Sequence, residues 1–232
     1  MICPAPYPMT KLLGTLDLNK IYSPLNNAAL FMIQRRQREI RRILESSFGE
    51  STGYDLSALK LLEIGCGNGQ WLAEFQTFGL NVANLAGIEI DEERAKSAKK
   101  RIIGAEIKCG TAAELPWADN SFDIVFQSTV FTSILDDETK QAVASEMKRV
   151  CKDDGFILWY DFAFNSPSNP NVKGVDKCEI RKLFAPYKCE IRRITLAPPI
   201  ARRVVPFCWM LAEKLETFFP FLRTHLIAKI SS

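Results

Sequence analysis

Residues 61–70 read Leu-Leu-Glu-Ile-Gly-Cys-Gly-Asn-Gly-Gln, a short apolar run that breaks into glycines and resumes as an amphipathic pattern. The run predicts a buried strand, and Gly65, Gly67 and Gly69 predict a tight loop through which backbone can approach a ligand, because no Cβ intervenes. A helix beginning at Gln70 would turn its free N–H groups and positive dipole end toward that loop. An acid, Glu63, stands two places before the first glycine. Strand, glycine loop and helix in this order predict a nucleotide-type binding site.

The pattern repeats outward from there. Upstream, Met1–Pro24 reads as an arm without periodicity, followed by a helix over residues 25–48 capped by Asn26 or Asn27, with Leu30, Ile33, Ile40 and Leu44 at helical spacing. Its arginines (35, 36, 38, 41 and 42) read as a solvated face partly balanced by Glu39 and Glu45. The alternative is that one of them, or Gln34, reaches a carboxylate or an anionic substrate. Downstream, strands are expected at Lys60–Ile64, Leu85–Ile90, Ala105–Cys109, Phe122–Gln127, Phe156–Tyr160, Cys189–Leu196 and Leu226–Ile230. Helices are expected at Gln70–Phe78, after Asp91, from Asp136 or Asp137 to Val150, and near Asp176–Phe184. Lys152-Asp-Asp-Gly155 reads as a turn. Such alternation predicts an α/β, Rossmann-like, seven-stranded and mostly parallel sheet with helices on both faces.

Length and composition set further bounds. A chain of 232 residues predicts a single domain, 1–232, with a core over 60–162 and a substrate side over 163–232. A net charge of +3 is too small to argue for nucleic acid. Seven cysteines, never spaced as Cys-x-x-Cys, predict free thiols in a reducing compartment, with no zinc site. Met1–Thr10 holds three prolines and no apolar run, unlike a secretory signal. No stretch reaches the roughly 18 apolar residues of a spanning helix. The expectation is a cytoplasmic protein.

The loop alone leaves the nucleotide open. A dinucleotide fingerprint wants glycine at position 70, where this chain has Gln70, which argues against a nicotinamide oxidoreductase. Glu89, at the end of the second strand, can accept hydrogen bonds from two ribose hydroxyls. Four ordered segments then settle a resemblance: Leu61–Gly69, Gly87-Ile-Glu-Ile-Asp91, Gly110-Thr-Ala-Ala-Glu-Leu-Pro-Trp through Val125, and Met147–Gly155. Over roughly Lys60 to Asp161 the chain resembles the class I S-adenosylmethionine-dependent methyltransferases. It departs from them at Thr111, where the family has an acid for the adenine amino group, and at Asp154-Gly155, where the family has paired glycines.

That resemblance implies S-adenosylmethionine as cofactor and roles at matching positions. Glu63 would steady the loop and the methionyl ammonium. Gly65, Cys66, Gly67, Asn68 and Gly69 would pack against the methionyl part. Glu89 would hold the ribose and Ile90 would cover adenine. Thr111 and Ala112 would meet the adenine edge, and the backbone at Gln127 would face the ammonium. It also implies an antiparallel seventh strand; Pro198–Pro220, which reads as a helical insert, would then by topology lie over the site mouth as a lid.

The acceptor is expected beyond the carboxyl ends of the strands, where segments 128–134, 161–175 and 197–224 converge. His225, the sole histidine, is a candidate general base, in competition with Asp161 and Tyr160, although a lone histidine is more often structural. Phe207, Met210, Leu211, Leu215 and Phe218 fall on one face of the insert; packing onto the sheet is the favoured reading, and contact with a membrane or lipid substrate the alternative. The C-terminal third is loosely similar to methyltransferases of bacterial surface-polysaccharide and glycolipid biosynthesis, implying a sugar or lipid-linked hydroxyl acceptor. A nicotinamide oxidoreductase and a non-catalytic adenosylmethionine-binding module stay as alternatives.

Overall fold

The computed structural model describes residues 23, 25–53, 55–165 and 171–232; most of the N-terminal arm and part of the 165–174 loop lie outside them. Within these residues the chain divides into two compact units, one of residues 39–193 and 224–232, the other of residues 194–223 with the segment before 39.

Helix α1 runs Asn27–Thr52. The larger unit then alternates β1 (Leu61–Ile64), α2 (Gln70–Thr77), β2 (Leu85–Glu89), α3 (Glu92–Arg101), β3 (Glu106–Cys109), β4 (Phe122–Ser128), α4 (Asp137–Val150), β5 (Cys151–Phe162) and α5 (Lys177–Leu183). Strand β6 (Lys188–Leu196) follows, then helices α6 (Pro198–Val204) and α7 (Trp209–Phe218) of the smaller unit, and then β7 (Arg223–Ser231). The sheet has seven strands in the order β3-β2-β1-β4-β5-β7-β6. β1 pairs parallel with both β2 and β4, β2 with β3 and β4 with β5, whereas β7 runs antiparallel to β5. The expected Rossmann-like, mostly parallel sheet is the observed one.

The helix starts follow local chemistry. Asn26 Oδ1 accepts from the Ala28 and Ala29 N–H groups, Asp91 from Arg94 N–H, Asp136 from Thr139 N–H, and Asp176 from Cys178 and Glu179. Each carboxylate or amide satisfies donors that the helix itself cannot reach. The central strands β1 and β2 are buried throughout, at Leu61–Ile64 and Leu85–Glu89, so their sequences read as apolar runs and not as alternation. The core behind the sheet gathers Met147, Val143, Trp159, Phe131 and Phe184 around the β4–β5 pair.

One sequence expectation fails here. Lys152–Gly155 is not a turn but the start of β5, which begins at Cys151 and runs twelve residues. The register shifts between Phe122↔Cys151 and Ile124↔Phe156, so β5 carries the extra residues as a bulge. The bulge presses Gly155 against β4: a Cβ there would lie 2.6 Å from the Asp123 carbonyl oxygen. Lys152 meanwhile pairs with Asp123 at 2.7 Å.

The smaller unit has its own apolar cluster, in which Phe31, Leu196, Ala201, Val205 and Ala212 are buried. Phe31 meets Trp209 edge-on at 5.2 Å. The arginines of α1 are not all solvated: Arg35 Nε lies 3.0 Å from the buried Glu216 carboxylate, and Arg38 bonds Glu213 at 3.4 Å. The alternative that one of them reaches a carboxylate is therefore the observed state for Arg35. The insert is two helices with a break at Val205–Cys208.

Candidate active site

The order of the sheet reverses between β1 and β4, and in an open parallel sheet the crevice at that reversal, beyond the carboxyl ends, is where ligands bind. The glycine loop sits there. Gly65, Gly67 and Gly69 all adopt positive φ (65°, 54° and 73°), a region costly for side chains bearing a Cβ. Cys66 N–H donates to the Ile88 carbonyl and Gly69 N–H to the Cys66 carbonyl, which ties the loop to β2 and closes it on itself. Val130, just after β4, packs so closely on Gly65 that a Cβ there would lie 2.6 Å from its methyl. The ends of β1, β2 and β4 are thereby drawn to one place.

Two buried carboxylates stand at this place, and they differ. Glu89 is engaged: its Oε2 accepts from Gly67 N–H at 2.8 Å and its Oε1 from Asp91 N–H at 3.1 Å. The Arg94 guanidinium stands 3.6 Å from Glu89 Oε2 and closes over the loop, 2.9 Å from where a Cβ on Gly67 would be. Glu63 is not so supplied. Its Oε2 is buried with no hydrogen-bond partner among the described residues. Burial, opposed in part by the Leu72 N–H and reinforced by the Glu89 charge, holds its carboxyl well above the usual carboxylate range. A buried acceptor left without a donor is costly, which marks a position suited to a cationic or hydrogen-bonding ligand.

Cys66 is buried between these acids, and burial with the Glu63 and Glu89 charges pushes its thiol up to about 12. It is a packing residue: a Cβ on Gly87 of β2 would strike its sulfur at 2.9 Å. Asn68, Ile90 and Thr111 are exposed at the rim, and Ala112 is half-buried. Thr111 Oγ1 accepts from Ala113 N–H, shaping a local turn. Gln127 is fully buried and its amide oxygen accepts from Val130 N–H at 3.1 Å, so its side chain holds the β4 loop.

The segment over 111–121 is held by an arginine that the sequence did not single out. Arg149 of α4 bonds the Leu115 and Trp117 carbonyls and the Glu146 and Asp119 carboxylates, while Glu146 Oε2 accepts from Leu115 N–H. Arg149 lies inside the Met147–Gly155 segment, but nothing in local spacing reveals a partner some thirty residues away.

The three base candidates lie at the ends of β5 and β7, on opposite faces. Phe162 pairs with His225 in the antiparallel register. The His225 ring stacks on Tyr160 at 5.0 Å and meets Phe162 tilted at 3.9 Å, with Nδ1 at 3.1 Å from Thr224 Oγ1. Asp161 points the other way: its carboxylate accepts from the Thr132 hydroxyl at 2.7 Å, Thr132 N–H at 3.2 Å and Phe162 N–H at 2.8 Å. Burial raises the Asp161 carboxyl to about 6 despite those bonds. The structure does not gather the three into one constellation.

Residues 62–159 match the family model described as a methyltransferase domain. The chain is 27% identical over 184 residues to a glycine/sarcosine/dimethylglycine N-methyltransferase of Actinopolyspora halophila, covering 74% of this chain and 32% of that protein. It is 26% identical over 145 residues to a demethylmenaquinone methyltransferase of Staphylococcus aureus, covering 61% of this chain and 56% of that one. It thus spans from a third to just over half the length of these curated relatives. A geranyl diphosphate C-methyltransferase from Streptomyces coelicolor, solved with Mg2+, geranyl diphosphate and S-adenosyl-L-homocysteine, shares the fold at a TM-score of 0.60 and 11% identity, over 84% of this chain and 77% of that one. The match to a methyltransferase domain is confined to residues 62–159, and the solved structure shares the fold.

Proposed function

We propose that the chain transfers a methyl group from S-adenosylmethionine to a small-molecule acceptor, with a sugar or lipid-linked hydroxyl as the leading class. One observation carries the cofactor site: a buried Glu63 carboxylate oxygen with no partner beneath a positive-φ glycine loop, beside a second carboxylate at the end of β2. That donor set fits an adenosylated amino acid. Glu63 offers its oxygen to the ammonium side, Glu89 accepts from ribose hydroxyls, and the glycines admit backbone contact with the methionyl part. Ile90, Thr111 and Ala112 border adenine, with Arg149 fixing the segment that follows Ala112.

When bound, the cofactor supplies a sulfonium methyl: the bond to sulfur breaks, its electron pair stays on a neutral thioether, and the acceptor loses a proton. The protein's part is to hold the acceptor in line, and good alignment supplies a large share of such a rate. An alcohol acceptor needs its proton removed, and His225, with Tyr160 stacked against it, is the group we assign to receive it. Asp161 holds the turn at residues 131–133 through Thr132.

The relatives' names run from glycine to demethylmenaquinone, so acceptor identity does not follow from the shared domain. The hydroxyl class rests on the looser likeness of the C-terminal third. Incubation with labelled cofactor and a panel of sugar, lipid-linked, amine and quinone acceptors tests it. Label in a hydroxyl product supports the reading; label confined to an amine or a carbon overturns the acceptor class, and tight binding with no turnover on any acceptor favours a non-catalytic module.

A further inference from the structure

We propose that the 197–222 segment docks the protein on an anionic lipid surface, a role separate from methyl transfer and independent of the acceptor. Sequence periodicity favours packing of its apolar face, and the structure shows otherwise. Leu215 lies against the apolar cluster of its own unit, but Phe207, Met210, Leu211 and Phe218 are exposed, as are Phe219 and Phe221 beyond the helix. Phe207, Phe218 and Phe221 expose 89%, 72% and 69% of their surface. A single exposed apolar residue is ordinary, but six large ones within fifteen residues (207–221) mark an interaction surface.

Helix α7 therefore has two apolar sides. Ala212 and Leu215 face inward. Met210, Leu211 and Phe218 fall at i, i+1 and i+8, one outward stripe, and Lys214 lies in its middle, four residues from Met210 and from Phe218. That lysine decides between occupants. At a dry protein interface it would be a charge desolvated at the centre, where charged residues are depleted. At a lipid surface its stem lies along the apolar layer while the ammonium rises to phosphate.

The charge around the stripe points the same way. Residues 194–223 contain two acids, Glu213 and Glu216, each matched by an arginine of α1, Arg38 and Arg35. Arg202, Arg203 and Lys214 are exposed on the same segment. No helix among the described residues is long and apolar enough to cross a membrane, so the contact would be shallow and reversible.

The test is flotation of the full chain with vesicles of phosphatidylcholine alone and with about 30 mol% phosphatidylglycerol, without acceptor or turnover. Wild type is expected to float with the anionic vesicles and to be released by salt. The triple variant Phe207→Ser, Phe218→Ser, Phe221→Ser should lose at least about tenfold in partitioning. Arg203→Glu with Lys214→Glu, at exposed positions that leave the interior untouched, should lose about as much through charge. Both variants should keep wild-type cofactor affinity, which separates failure here from failure of the proposed activity. Wild type that stays in the pellet, variants that float unchanged, or a concentration-dependent dimer abolished by the serine variant without vesicle binding would each overturn the proposal.

Discussion

Glu63 and Asp161 are buried to the same degree, at 2% and 1% exposure, and sit near the ends of two strands of one sheet. They differ in their donors. Asp161 takes three hydrogen bonds from Thr132 and Phe162 and is complete without any ligand. Glu63 has an oxygen with no partner among the described residues. Burial raises the pKa of both carboxyls, so a raised pKa alone does not separate a structural acid from a functional one. The supply of donors does. By that criterion the β1–β2 end is built to receive something, and the Asp161 side of β5 is built to hold its own loop.

The sharpest way to break the comparison is Glu89→Ala. If Glu89 holds ribose, the variant should lose at least about a hundredfold in cofactor affinity by calorimetry, because two charged hydrogen bonds go with it. Glu63→Gln should cost about ten- to a hundredfold, the worth of one hydrogen bond to a charged group. It should leave the free fold as stable or more so, since it removes a buried acid that is costly to ionise.

Glu63 also gives a pH dependence with a definite sign. Its carboxyl is held protonated above the usual range in the free protein, and a cationic ligand favours the ionised form. Binding then releases a proton, so affinity should rise with pH in the wild type and lose that slope in Glu63→Gln.

Asp161→Asn should act on stability instead. The amide presents N–H toward one of the three donors, a mismatch costing about 1–3 kcal/mol in denaturant unfolding, with turnover per folded molecule kept within several-fold. Because the folded Asp161 sits at about 6, above the ordinary 3.8 of an aspartate, its contribution to stability is fullest below pH 3.8. It declines as pH rises through about 6, and the variant should flatten the stability curve over that window. The smallest effect belongs to Arg94. Its exposed guanidinium must leave Glu89 before a ribose is fully accepted, so Arg94→Gln should tighten cofactor binding by no more than about fivefold, the range of an exposed ion pair.

Much of this was legible in the sequence because the signals are local. Asn26, Asp91, Asp136 and Asp176 announce helix starts by their place before an amphipathic run, and the buried parallel strands announce themselves as apolar runs. Glu63 and Glu89 were visible from their spacing to the glycines, and the structure brings both to the loop. What stayed hidden depends on distant partners. Lys152-Asp-Asp-Gly looks like a turn because its charges suit one, yet Lys152 pairs across to Asp123 and the segment is bulged strand. The Arg149 clamp and the Arg94 cover are contacts across a fold, with no period to betray them. The outer stripe of α7, with Met210, Leu211 and Phe218 exposed, is not legible because an apolar face at helical spacing shows amphipathicity but not which way the face turns.

We propose the loop at Gly65–Gly69, with Glu63 and Glu89, as an adenosylmethionine site. Calorimetric titration of the purified chain with S-adenosylmethionine and with NAD, on wild type and Glu89→Ala, tests it most directly. Saturable one-site binding of S-adenosylmethionine to wild type, its loss in the variant, and no heat from NAD are expected. Binding of NAD, or S-adenosylmethionine affinity unchanged by removal of Glu89, would contradict it.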